Sequence, residues 1–172
     1  NITRKTDGLV SLSEMLGFEA ERENFWLTVI PCKNYTHASR YVLPVKPSPN
    51  LADMGAVYWY PSTCFFEGTV LSEGRGTDNP FQVFGHPKLP DSLYRFTPRS
   101  TPGATNPKLK DETCYGWNLA AMKEPYPKQV QLKWLLQAYA LFPEKNAFFI
   151  APKKFNPKPA DYFFNKLAGN AT

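Results

Sequence analysis

Seventeen prolines in 172 residues constrain this chain more than any other feature of its sequence. That is about twice the average usage, which is near 5%. They fall in clusters: Pro44, Pro47 and Pro49; Pro98, Pro102 and Pro107; Pro125 and Pro127; Pro152, Pro157 and Pro159. The pyrrolidine ring fixes φ, removes a backbone donor and pushes the preceding residue toward extended structure. Each cluster therefore excludes a helix interior and demands turn or extended backbone. Short regular elements separated by long, fixed loops are the expected result, and such loops are where binding residues tend to sit.

The stretches between the clusters carry element signals. Ser11-Leu-Ser-Glu14 fits a capping box, opening a helix with Leu12, Met15 and Leu16 on one side and an end near Gly17. Residues 25–30 read as a central strand, apolar on both faces and stopped by Pro31. Residues 32–50 form a loop region. From Asn50 to Phe66 a helix is preferred, with Asn50 as its cap, running through Met54, Val57 and Tyr58. Pro61 would lie inside it or begin a second segment. A strand reading stays open there, because Val57-Tyr-Trp-Tyr60 and Cys64-Phe-Phe66 are good strand formers.

Residues 68–79 form a glycine-dotted polar loop. Residues 81–84 alternate like a short strand, ended by Gly85-His86-Pro87, and proline-rich coil follows. Residues 114–122 read as another strand. Residues 130–142 read as a helix, with Val130, Trp134, Leu135, Ala138, Tyr139 and Phe142 on one face and Pro143 as its stop. Residues 162–167 suggest a short terminal helix before Gly169. Helices and strands without regular alternation imply an α+β fold, and the length is that of one domain.

Charge and cysteine content narrow the function. The net charge is +5, with basic residues scattered and densest at Lys153-Lys154 and Lys108/Lys110. That falls short of a nucleic-acid stripe and fits a solvated surface or a mild preference for an anionic polymer. Cys32, Cys64 and Cys114 show no metal-ligand spacing, and neither a metal nor a cofactor is implied. Free buried thiols are expected; an oxidising compartment leaves a Cys64–Cys114 disulfide open. No apolar run approaches the roughly 20 residues that span a bilayer. Opening on Asn1 without Met or signal peptide, the sequence reads as a mature or excised fragment. Its 13 Phe, 9 Tyr and 4 Trp suit a core, and also the platforms on which sugar rings stack.

Chemistry concentrates in residues 64–77. Glu67 follows three apolar residues, Cys64-Phe-Phe66. A carboxyl at the mouth of a buried element is stripped of water, which disfavours its charged form and suits general-acid work. Glu73 comes six residues later, within Ser72-Glu-Gly-Arg-Gly-Thr77. Two carboxyls with hydroxyls nearby are the minimum equipment for glycoside cleavage. Arg75, between Gly74 and Gly76, suits either a fork onto a ligand carboxylate or a staple to Glu67 or Asp78. Neither phosphate-loop pattern is present, and no serine sits in a GxSxG elbow. Of the two histidines, His86 in Gly-His-Pro suits a turn anchor, while His37 suits a pocket lining. Asn34-Tyr-Thr36 and Asn170-Ala-Thr172 match glycosylation sequons, which arise readily by chance.

Several strings taken together resemble a known family: Asn34-Tyr-Thr-His37, Leu43-Pro-Val-Lys-Pro-Ser-Pro-Asn50, Tyr60-Pro-Ser-Thr-Cys-Phe-Phe-Glu-Gly-Thr69, Ser72-Glu-Gly-Arg-Gly-Thr77 with Pro80-Phe81, and Cys114-Tyr-Gly116. The chain looks like the exo-acting β-N-acetylmuramidase family, long catalogued only as a domain of unknown function, and is closest in phrasing to its Bacteroidetes-type members. The resemblance runs from about His37 to Gly169. It implies a peptidoglycan hydrolase that releases N-acetylmuramic acid from non-reducing ends. It also implies a larger Rossmann-like N-terminal domain, with the active site in the cleft between it and a smaller C-terminal domain. Only the smaller domain matches this chain, and a peptidoglycan substrate implies a periplasmic or otherwise extracytoplasmic setting.

The implied substrate assigns roles. Muramic acid carries a lactyl carboxylate, so its recognition needs a cation, for which Arg75 comes first and Lys46 second. Asn50, Thr69, Ser72 and Thr77 would hydrogen-bond sugar hydroxyls and the acetamido group. Tyr60 or Trp59 would stack on a ring. Glu67 ranks first as the catalytic carboxyl, with Glu73 in support.

Overall fold

The computed structural model of the chain describes residues 33, 34, 36, 38–122, 126 and 129–169. The expected helix at 11–17, the strand at 25–30, Cys32, His37 and the sequon at 170–172 lie outside these residues. The chain divides into two compact units, Asn1–Tyr41 and Val42–Thr172. In the first, Thr36 and Ser39 close a turn: Ser39 N donates to Thr36 O at 3.0 Å, and Ser39 Oγ accepts from Thr36 N at 2.8 Å. The α+β elements described below belong to the second.

Helix α1 spans Met54–Thr63. Its cap is Asp53, not Asn50: Asp53 Oδ1 accepts from Ala56 N at 2.8 Å, which satisfies one of the free amides of the first turn. Pro61 lies inside the helix, near its end. There the missing N–H costs a single ladder bond, and the chain tightens at once into a 3-10 turn over Cys64–Gly68. Thr63 Oγ1 donates to Trp59 O at 3.1 Å and to Phe81 O at 2.9 Å, tying the helix to the loop beyond the turn.

A three-stranded antiparallel sheet follows, in the order β1–β3–β2, with β1 Val83–His86, β2 Tyr94–Phe96 and β3 Cys114–Asn118. Strand β1 begins two residues later than the alternation suggests, because Phe81 takes a left-handed turn conformation (φ 59°). Strand β2 lies within the stretch read as coil. Strand β3 stops at Asn118, whose Oδ1 accepts from Ala120 N at 2.8 Å and turns the chain away.

Helices α2 (Lys133–Leu141) and α3 (Phe163–Ala168) complete the unit. In α2, Leu135 and Ala138 are buried, Trp134 packs against the core, and Tyr139, 38% exposed, meets the Phe148 ring edge to face at 5.2 Å. Val130 lies before the helix and is exposed. Gly169 caps α3 in the left-handed conformation, as a glycine after a last turn commonly does.

The main core gathers Trp59, Phe66, Leu71, Phe84, Leu89, Leu119, Leu135, Ala138, Phe142 and Phe148. Phe66 stacks on Phe84 at 4.2 Å between centroids, and Phe84 on Trp117 at 5.4 Å. Such pairs contribute about 0.5–1.5 kcal/mol each beyond area burial. They sit directly beneath the 3-10 turn, so Glu67 projects from a rigid floor. Trp59 is part of this core and so is not a ring-stacking platform. A smaller cluster of Val83, Phe96 and Cys114 packs with Leu109.

Cys64 and Cys114 are free thiols, so the bridge left open by the sequence is not formed. Burial pushes the Cys114 thiol up to about 12, with Glu112 adding to the shift. Among the described residues, no helix is long and apolar enough to cross a membrane.

Candidate functional site

Residues 69–82 fold back on the sheet and present the charged groups. Ser72 and Gly85 exchange two backbone hydrogen bonds at 2.9 and 3.1 Å, which pins the loop to β1. Gly74 and Gly76 both have φ of 81°, and a side chain at either would run into backbone, of Val83 and of Arg99 respectively. The two glycines thus let the loop turn tightly on both sides of Arg75. Phe81 N donates to Glu73 O at 2.8 Å and closes the loop.

Arg75 sits at the centre of an alternating chain of charges. Its Nη2 lies 3.2 Å from Glu67 Oε2, and its Nη1 lies 3.2 Å from Glu73 Oε1. Its guanidinium carbon lies 4.9 Å from the centroid of the Phe81 ring, a cation–π contact that fixes the plane of the fork. The Glu73 side chain is 2% exposed, and its second oxygen forms an ion pair with Lys108 Nζ at 3.0 Å. Two carboxylates and two cations therefore balance within one cluster. Arg75 is the staple that the sequence allowed, to Glu67 and Glu73 rather than Asp78.

This cluster borders an open cleft of about 490 Å3, lined by Asn50, Glu73, Arg75, residues 102–107 and Lys108. Asn50 Nδ2 donates to Gly103 O at 2.8 Å, bracing the far side. Glu67 does not line the cleft itself but reaches it through Arg75; its side chain is 17% exposed.

Tyr60, on α1, packs edge to face on Phe81 at 4.8 Å. Burial pushes its phenol above the usual 10.0, with the Glu67 charge and Cys64 adding and Arg75 opposing. The Cys64 thiol is likewise raised, by burial first and then by Glu67. Tyr60, Cys64, Glu67 and Arg75 thus feel one another electrostatically.

Three of the expected sugar-binding hydroxyls are engaged within the loop. Thr69 is fully buried; its hydroxyl donates to Phe66 O at 2.9 Å and accepts from Leu71 N at 3.2 Å. Ser72 is buried and accepts from Gly74 N at 3.2 Å. Thr77 Oγ1 donates to Gly74 O at 2.7 Å and accepts from Asn79 N at 3.1 Å. Thr77 lines a second cleft of about 460 Å3, together with Tyr94, Arg95 and Arg99. These hydroxyls shape the loop through ST-type turns, bonding backbone partners two or three residues away. Lys46 is exposed and lines a small pocket with Leu43, Val45 and Asp53, away from Arg75.

His86 Nδ1 accepts from Lys88 N at 3.0 Å and its ring meets Phe142 edge to face at 5.0 Å, so it does anchor a turn. Sequence reasoning missed Lys108, which reads as a solvated residue in proline-rich coil. It also missed the Phe81 ring as the support of Arg75. The signal for Phe81 was its place directly after Pro80, opposite a loop that carries an arginine.

Residues 58–172 match the family described as "Exo-beta-N-acetylmuramidase NamZ, C-terminal". The chain is 30% identical to the peptidoglycan β-N-acetylmuramidase NamZ of Bacillus subtilis over 161 residues, covering 84% of this chain and 36% of that protein. It also matches the crystal structure of a DUF1343 family protein from Bacteroides fragilis. There the TM-score is 0.72 and the identity 46%, over 83% of this chain and 38% of that one. The chain thus spans little more than a third of the length of either relative. A match over two-thirds of the sequence, joined to a shared fold at 46% identity, places this chain in the exo-β-N-acetylmuramidase NamZ family, as its C-terminal domain.

Proposed function

We propose that this domain forms one wall of the active-site cleft of a glycoside hydrolase that releases N-acetylmuramic acid from the non-reducing ends of peptidoglycan fragments. The other wall is a Rossmann-like N-terminal domain, and the enzyme works outside the cytoplasm, where peptidoglycan lies. One observation carries the reading: two carboxylates converge on a single guanidinium at the edge of an open polar cleft. A guanidinium has five N–H donors, and Glu67 and Glu73 engage two of its terminal nitrogens by one contact each. Donors remain for a third carboxylate, and the lactyl group of muramic acid supplies one. Tyr60, exposed beside Glu67, gives a ring edge and a phenol for the sugar.

In this scheme the carboxyl of Glu67 handles the proton of the glycosidic oxygen, as one member of the carboxyl pair such cleavage uses. Glu73 holds Arg75 from beneath. The test is Glu67→Gln in the full-length enzyme, assayed for muramic acid release from a chromogenic muramide. A loss of roughly 100-fold or more in kcat, with the fold intact by circular dichroism, is expected. Near-normal turnover would sink the catalytic role.

A glycan-binding module without catalysis is the second reading. It is favoured by one fact, that both carboxylates of the cluster are already ion-paired within the chain. It predicts that the isolated domain retains peptidoglycan fragments and that Glu67→Gln leaves turnover untouched.

A further inference from the structure

Lys108 is the most heavily coordinated side chain among the described residues. Its Nζ lies 3.0 Å from the carbonyl oxygens of Phe66, Glu67 and Thr69, 3.3 Å from that of Leu71, and 3.0 Å from Glu73 Oε2. An ammonium has three N–H donors, and here five oxygens surround it. Directional hydrogen bonds cannot satisfy that arrangement one to one. The group is held as a compact ion in an oxygen cage.

The cage has a physical origin. At the end of the 3-10 turn, Phe66 O already accepts from Thr69 N at 3.0 Å and from Thr69 Oγ1 at 2.9 Å, and with Glu67 O it carries the negative end of the turn's dipole. The next carbonyls, from Thr69 and Leu71, curl round the same point. The 106–111 turn delivers the lysine from the other side. Leu109 and Asp111 take left-handed φ of 55° and 63°, and Leu109 packs into the Val83–Phe96–Cys114 cluster, which locks the turn in place.

We infer that Lys108 is the positioning residue of this site, a built-in monovalent cation whose oxygen cage sets the backbone of Glu67 and the carboxylate of Glu73. Through Glu73 it also sets the angle of Arg75. Removing the ammonium takes one donor from each of four carbonyls, of which Phe66 O keeps Thr69, and leaves the 2%-exposed Glu73 with Arg75 as its remaining ion-pair partner. The vacated cage has contacts of 3.0 to 3.3 Å, too long for magnesium or calcium. It fits potassium or ammonium, which carbonyl oxygens hold in place of water.

The experiment uses Lys108→Ala in the full-length protein, melted in chloride salts of ammonium, potassium, lithium, magnesium and choline at matched ionic strength. The expected result is a lowered Tm that rises saturably with ammonium or potassium and with no other salt. Wild type and Lys108→Met, whose uncharged stem fills the cage, should lack that response. If Lys108→Ala does not fold in dilute buffer, its refolding yield in ammonium against lithium gives the same reading. No selective response, in Tm or in yield, overturns the cage.

The activity arm rests on the glycosidase reading. Lys108→Ala should lower kcat roughly 100-fold with KM little changed, and ammonium should restore at least 10-fold of it. An unchanged kcat overturns the positioning role. The melting arm needs no turnover, so it stands apart from a failure of Glu67→Gln.

Discussion

His86 shows how one buried residue couples the fold to pH. Burial lowers its pKa from the usual 6.5, with Lys88 adding and Glu112 and Glu144 opposing. Its Nδ1 must stay unprotonated to accept from Lys88 N. The unfolded chain therefore takes up this proton at a higher pH than the folded one. By linkage, its stabilising contribution is present above about 6.5 and is lost as pH falls below that value. Thermal melts should show Tm dropping as pH falls from about 7 to 5, and His86→Asn, which keeps an acceptor without a titration, should flatten that slope. An unchanged slope would assign the effect to another group. Residue identities were partly legible: Gly-His-Pro already read as a turn, and Gly-Arg-Gly as a tight loop around a guanidinium. Lys108 was not, because a lysine between Pro107 and Leu109 carries no local mark of burial. Its cage is assembled from backbone oxygens some 40 residues away.

At the scale of elements, the docking of α3 depends on a glycine. A Cβ on Gly68 would lie 2.7 Å from Phe164 Cα, so helix α3 rests directly on the end of the 3-10 turn. Phe164 also contacts Phe65 at 5.9 Å and Phe149 at 4.6 Å, closing an aromatic seam around that junction. Gly68→Ala should destabilise by about 1–3 kcal/mol in urea unfolding through overpacking. Hydrogen exchange should then show residues 163–168 losing protection, while β1 and β3 keep theirs. Elements with their own local signals were readable, including α1, α2, the start of β3 and α3 with its Gly169 cap. Strand β2 was not. Three residues cannot display a period, and Tyr94–Phe96 is extended because β3 supplies its ladder, with Arg95 opposite Tyr115. The cap of α1 moved from Asn50 to Asp53 because Asn50 finds Gly103 O instead.

For the molecule as a whole, the proposed function carries with it a dependence on a partner surface. The cleft beside Arg75 is open, and the relatives are far longer than this chain. Under the proposed function, the isolated domain should release no muramic acid from peptidoglycan fragments, and adding the N-terminal domain, covalently or in trans, should restore release. Turnover by the isolated domain at the full-length rate would show that the charged cluster is sufficient alone. What the amino-acid sequence determined by itself was local: loops where proline forbids regular ladders, helices where apolar residues recur with a stop after them, and the glycines that bend the loop around Arg75. The family, too, was legible in short contiguous strings. Tertiary structure alone decided that Glu67, Glu73, Arg75 and Lys108 form one balanced cluster. The reason is range: turn and helix signals act over a few residues, whereas an ion pair or a carbonyl cage is set by three-dimensional distance, which chain order does not encode.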